Sequence, residues 1–144
     1  MTRPEIGVFS GEKGGSMTAE EKKRILIVED DPNMCVFYKD MFRAREDRYE
    51  IEIVNDARIA FRKITDELFD LIILDMIMEP MDGEMFFLCV RETSRIKDIP
   101  VLIVSVLSPG TMEHLKKIDH VEFMQKPISP EDLYQKVDMA LKAL

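Results

Sequence analysis

Tryptophan is absent and cysteine occurs only twice, at Cys35 and Cys89. Both cysteines sit in apolar stretches of helical periodicity and lack the close pairing of metal ligands. A disulfide scaffold and a cysteine zinc site are therefore excluded, and the pair reads as reduced core thiols of a cytoplasmic protein. Long apolar runs are also missing, and nothing approaches the roughly 20 residues of a membrane helix. Positive charge is short: 20 Lys and Arg face 28 Asp and Glu, a net of -8. That balance argues against a general nucleic-acid grip and against an anionic membrane surface. No charged-then-apolar leader opens the chain, which argues against export. What remains, in 144 residues, is enough for one domain with a single core.

The first two dozen residues differ from the rest. "FSGEKGGSMTAEEKKR" is rich in Gly, Ser and charge and lacks apolar periodicity. Residues 1–23 thus read as a flexible N-terminal extension, either native or appended, with Met17 as an alternative start. Residues 25–144 carry 15 basic and 24 acidic side chains, so the acidity belongs to the domain expected over 24–144.

From Arg24 onward two kinds of segment alternate. "RILIV" (24–28), "IEIV" (51–54), "LIIL" (71–74), "VLIV" (101–104) and "VEFM" (121–124) are short and apolar. They fit strands buried on both faces of a sheet. Between them lie amphipathic stripes: Met34, Phe37, Tyr38, Met41 and Phe42; Ala57, Ala60, Phe61, Ile64 and Leu68; Leu133, Val137, Ala140, Leu141 and Leu144. Helices are also expected over 84–96 and, more weakly, over 108–119. Asp31-Pro32 and Ser129-Pro130 read as N-caps followed by proline, Ser129 with Asp132 fits a capping box, and Asp56 caps the second helix. Five strands alternating with five helices predict right-handed crossovers and a doubly wound α/β fold around a parallel sheet. In such sheets ligands bind beyond the carboxyl ends of the strands.

Those ends gather chemistry. The first strand ends in Glu29, Asp30 and Asp31, the third in Asp75, the fourth in Ser105, and the fifth is followed by Lys126-Pro127. Clustered carboxylates repel one another unless a cation is present, and a hard divalent ion such as Mg²⁺ takes oxygen ligands. A lysine and a hydroxyl nearby suit an anion. Together these groups are what a phosphoryl group needs while it transfers in line to a nucleophile, and Asp75 is the central carboxylate.

In order and spacing, "ILIVEDDP" (25–32), "DLIILDMIMEPMDG" (70–83), "IPVLIVS" (99–105) and "FMQKPIS" (123–129) resemble the response-regulator receiver domain of two-component signalling. The resemblance covers 24–144. It implies a CheY-like, flavodoxin-like (βα)5 fold of five parallel strands in the order 2-1-3-4-5. Asp75 then matches the phosphoacceptor. Glu29 and Asp30 match the acidic pair that binds Mg²⁺, joined by Asp75 and the backbone carbonyl of Ile77. Ser105 and Lys126 match the groups that contact the phosphoryl oxygens, Phe123 the aromatic switch residue, and the bond to Pro127 is expected to be cis. The implied donor is a sensor histidine kinase or histidine phosphotransferase. The implied output is a change in the face made by the fourth helix, fifth strand and fifth helix, which binds a downstream protein or a second copy. No direct nucleic-acid or membrane partner is implied, and no enzymatic turnover beyond Mg²⁺-dependent self-phosphorylation and autodephosphorylation.

The chain departs from the family pattern at Glu79, at Val106 and at Phe123, whose ring has no hydroxyl to bond at the surface, and two further positions bear on phosphoryl lifetime. Glu79 stands where proline is usual, with Pro80 one place later. Val106 stands where a small residue usually follows the switch hydroxyl, and would crowd the approach to Asp75. Ile77 and Leu107 flank the path of attacking water without being able to orient it, which suggests slow hydrolysis. Leu115, Phe123 and Tyr134 are candidates for the output face or for ordinary core packing. His114 and His120 read as surface residues. A haloacid-dehalogenase-type phosphatase would carry a second acid at Ile77, and a flavodoxin-like flavin binder would carry a Ser/Thr-rich loop in place of "EDDP". A stand-alone receiver, a relay intermediate, an excised receiver and a phosphorylation-independent interaction module all remain open.

Overall fold

A computed structural model describes residues 22–79 and 81–142. Most of the expected lead-in, Pro80 and Leu144 lie outside the described residues. The elements alternate as expected. They are β1 (Lys23–Val28), α1 (Pro32–Arg43), β2 (Tyr49–Val54), α2 (Ala57–Asp66), β3 (Leu71–Leu74), α3 (Gly83–Glu92), β4 (Val101–Ser105), a 3-10 helix α4 (Pro109–Leu115), β5 (Val121–Gln125) and α5 (Pro130–Lys142). All pairings are parallel and the order is β2-β1-β3-β4-β5, the order the resemblance implies.

Alternate strand residues point to opposite faces, and the core divides accordingly. Leu26, Val28, Ile72, Leu74, Val101 and Ile103 pack with Ala60, Ile64, Phe86 and Phe87 of α2 and α3. Ile25, Ile27, Leu71, Ile73, Leu102 and Val104 pack with Tyr38 and Phe42 of α1 and Leu133 and Val137 of α5. The three central strands are buried on both sides, which is why they read as unbroken apolar runs. The outer strands β2 and β5 are only partly covered and carry glutamates.

The caps act as read from sequence. Asp31 accepts from Asn33 N–H at 3.2 Å, Asp56 from Arg58 N–H at 2.8 Å, and Ser129 Oγ from Asp132 N–H at 3.2 Å. Three helical expectations are corrected. The second helix stops at Asp66, so Leu68 is exposed rather than part of its stripe. The Arg24 guanidinium binds the Leu68 carbonyl at 2.9 Å and the Glu67 carboxylate at 3.1 Å, drawing the chain toward β3. The third helix ends at Glu92, not at 96. Thr93 is extended, and its hydroxyl donates to the Cys89 carbonyl at 2.8 Å. The fourth helix is a 3-10 segment in which Met112 leaves helical geometry, in keeping with the limited length such turns sustain.

Phe86 is fully buried and meets Phe61 edge-on, with ring centroids 6.5 Å apart. Phe86→Ala should lower unfolding free energy by about 3–5 kcal/mol, read from urea titration. A loss below about 1 kcal/mol would contradict this packing.

Candidate functional site

The ends of β1, β3, β4 and β5 meet at one rim. Glu29 extends the β1–β2 ladder through its N–H to the Val54 carbonyl, and Asp75 extends β3 through its N–H to the Val28 carbonyl, at 3.0 and 3.1 Å. Both side chains are thereby buried, at 1% and 6% exposure. Asp30, the next residue, points to solvent. One carboxylate oxygen from each of the three lies within 4.8 Å of the others. This is a set of hard oxygen donors alone, the chemistry that suits Mg²⁺.

Lys126 closes the opposite side. Its backbone N–H donates to the Ser105 carbonyl at 2.8 Å, which docks the β5 end against β4. Its ammonium then lies 3.1 Å from Glu29 Oε1 and 3.6 Å from Asp75 Oδ2. The Lys126–Pro127 peptide is cis. Ser105 is fully buried, and its hydroxyl accepts from Leu107 N–H at 3.3 Å. Ile77 is exposed, and its N–H donates to Asp75 Oδ1 at 3.2 Å. Val106 is exposed at the same rim, with its carbonyl accepting from Gln125 Nε2 at 3.2 Å. Glu79 also faces solvent.

One ammonium does not neutralise this many acids. The Glu29 carboxyl is raised from 4.5 to about 7, first by burial and next by the Asp75 charge. The Asp31 N–H and Lys126 oppose that rise. The tyrosine of the second core, Tyr38, is pushed well above its ordinary range by burial, with Glu29 and Asp75 adding to the effect.

Phe123 is half-buried on β5, opposite Ile103 of β4, and packs into the core on the α4 side. Two other candidates for the output face lie elsewhere. Leu115 is buried in the core. Tyr134 turns toward α1, where its hydroxyl donates to the Met41 carbonyl at 2.7 Å. His114 is exposed and lies 3.0 Å from Glu84, while His120 is half-buried and adopts φ 64°.

Two contributors carried little or no sequence signal. Cys35, which read as a core thiol, donates from Sγ to the Glu29 carbonyl at 3.6 Å. Gly83 read only as the last residue of the 70–83 motif, yet its N–H donates to the Met76 carbonyl at 3.0 Å. A Cβ there would collide with the Asp75 carbonyl oxygen and stand 2.6 Å from Met76 Cα. The start of α3 thus rests on the peptide that follows Asp75. A glycine opening a helix directly after its N-cap Asp82 was the available clue.

Gly83→Ala should lower stability by about 1–3 kcal/mol and shift the amide resonances of residues 75–77. Helix propensity alone would favour alanine by about 1 kcal/mol, so the sign of the change decides. The Glu29 titration gives a second test. Its folded value lies above its unfolded one, so its contribution is complete below pH 4.5 and is lost as pH rises toward about 7. In metal-free buffer, Glu29→Gln should gain stability relative to the parent chain across that interval. A gap that stays constant with pH would overturn the assignment.

Comparison with known proteins agrees with this geometry. A family model described as the response regulator receiver domain matches residues 25–138. The uncharacterized transcriptional regulatory protein YclJ of Bacillus subtilis is 29% identical over 119 residues, covering 83% of this chain and 51% of its own. The regulatory protein VanRB of Enterococcus faecalis is 30% identical over 121 residues, covering 83% and 52%. This chain therefore spans about half the length of these relatives. Among solved structures, the chemotaxis response regulator CheY4 of Vibrio cholerae superposes with a TM-score of 0.75 at 28% identity, covering 83% of this chain and 99% of its own. The receiver domain of the Pseudomonas aeruginosa sensor histidine kinase PA1611, described with a magnesium ion in its active-site cleft, shares the fold at 21% identity and a TM-score of 0.73, covering 83% and 98%. The chain belongs to the response-regulator receiver domain family.

Proposed function

We propose that Asp75 is the phosphoacceptor of a two-component signalling step. The observation that carries the reading is the position of its carboxylate, which lies at the end of a buried strand. It is 3.6 Å from the Lys126 ammonium and shares a cluster of oxygens with Glu29 and Asp30. A carboxylate oxygen attacks the phosphorus of a phosphohistidine on a sensor kinase or histidine phosphotransferase. The P–N bond breaks and the imidazole leaves as the transferred group reaches Asp75.

Mg²⁺, when bound, would be held by Asp30, Asp75 and the Ile77 carbonyl, with Glu29 reached through water, and would neutralise charge on the phosphoryl oxygens. Lys126 supplies the fixed positive charge on the other side. Ser105 exchanges its bond from Leu107 N–H for one that it donates to a phosphoryl oxygen. Phe123 repacks as the β4–α4 loop follows. The changed surface is that of α4, β5 and α5, which binds a downstream protein or a second copy in one state more tightly than in the other.

The chain turns over no external substrate in this reading, and it works in the cytoplasm beside its kinase. Among the described residues no helix is long and apolar enough to cross a membrane.

Intact mass after incubation with acetyl phosphate and Mg²⁺ tests the acceptor. One phosphoryl group should appear, and it should be absent without metal and in Asp75→Asn. A folded protein that gains nothing would favour a phosphorylation-independent interaction module. Ile77, exposed beside Asp75, sets the lifetime. Ile77→Asn should speed dephosphorylation by orienting water, measured as decay of the phosphorylated mass. An unchanged rate would sink that role.

A further inference from the structure

The outer edge of β2 has no neighbouring strand among the described residues. Lys23 N–H donates to the Arg48 carbonyl, and Glu29 N–H to the Val54 carbonyl. In a parallel ladder the two backbone groups of a residue point to one side, and the side alternates along the strand. Glu50 and Glu52 therefore face β1 with their backbones. The N–H and C=O groups of Ile51 and Ile53 point away from the sheet.

The two flanks of this edge differ. On one flank Ile51 and Ile53 are only partly covered. They line a groove of about 540 Å³ with Cys35 and Lys39 of α1 and Ile59 of α2, and Ile59 is 40% exposed. The other flank is acidic. Glu50 and Glu52, 53% and 37% exposed, join Glu67 around Arg24 and Lys63, so three acids face two bases. Edge strands are usually protected by charged side chains, proline or a bulge, and in Tyr49–Val54 the charges are the acids Glu50 and Glu52 alone, with neither lysine nor proline.

We propose that the β2 edge receives an extended segment of a partner protein in which basic and apolar side chains alternate. Its backbone would pair with Ile51 and Ile53. Its apolar side chains would cover the isoleucine flank, and its basic ones would meet Glu50 and Glu52. A second copy of this chain fits poorly. Antiparallel pairing of two such edges centred on Ile51 or Glu52 sets Glu52 opposite Glu50 or Glu52 of the other copy, pairing centred on Glu50 sets Glu50 opposite itself, and like charges placed directly opposite are destabilising. The edge lies apart from the α4, β5 and α5 face, so the inference stands whether or not Asp75 is phosphorylated.

The test is amide hydrogen exchange of the full chain with a capped peptide of about seven residues alternating lysine and valine. The Ile51 and Ile53 amides should exchange freely alone and at least about tenfold more slowly with the peptide. A peptide alternating glutamate and valine should give no protection. Ile53→Pro, which removes an outward donor and no ladder bond, should abolish the effect. Glu50→Lys, at an exposed side chain, should weaken the lysine peptide by at least about threefold. Three results would overturn the proposal. One is no protection by the lysine peptide. Another is equal binding of both peptides. The third is protection already present without peptide that disappears when residues 1–21 are removed, which would make this chain's own N-terminal segment the occupant.

Discussion

Two carboxylates from different strands, Glu29 and Asp75, are buried around one ammonium, that of Lys126. The organisation of the rim follows from that contact. An ammonium so placed must come from a third strand end, and its reach depends on the bond from the Lys126 N–H to the Ser105 carbonyl. Ser105 is thereby fixed at the same rim, fully buried, with its hydroxyl near the backbone of the next loop. Buried charges require partners. Here one ammonium serves two buried carboxylates, and burial, followed by the Asp75 charge, raises the Glu29 carboxyl.

Much of this was legible in the sequence, because the strands at the centre of the sheet are buried on both faces. "ILIV", "LIIL" and "VLIV" admit one placement each, and the residue that ends each run must emerge at the sheet's carboxyl rim. That rule places Glu29, Asp75 and Ser105 at the rim from sequence alone. The cap residues Asp31, Asp56 and Ser129 were equally readable, since a side-chain acceptor before a helix has a local cause.

What was not legible depends on contacts distant in sequence. Helix α2 ends early because Arg24, on β1, binds the Leu68 carbonyl and the Glu67 carboxylate. Tyr134 fits a helical stripe equally well whichever way it turns, and only the Met41 carbonyl on α1 settles the direction. Leu115 was ambiguous between core and surface for the same reason. The 3-10 form of α4 reflects a weak local pattern without a strong apolar stripe to impose α geometry. Gly83 matters because of one backbone approach to Asp75, and composition carries no record of that.

The same sheet divides its labour by position. Its central strands hold reactive side chains rigidly, because both faces are packed and only the strand ends are free. Its outer strands are half-covered and keep polar or charged residues, Glu50 and Glu52 on β2 and Glu122 and Gln125 on β5. A displacement at Ser105 therefore has few places to go. The path toward β3 is closed by packed Leu74 and Ile103, whereas the path toward β5 leads to Phe123, which is half-buried beside a 3-10 helix that departs from helical geometry at Met112. Close-packed regions resist small displacements and loosely packed ones absorb them. In the switch proposed for Ser105, movement at the rim would run outward toward β5, where packing is looser than at the centre of the sheet.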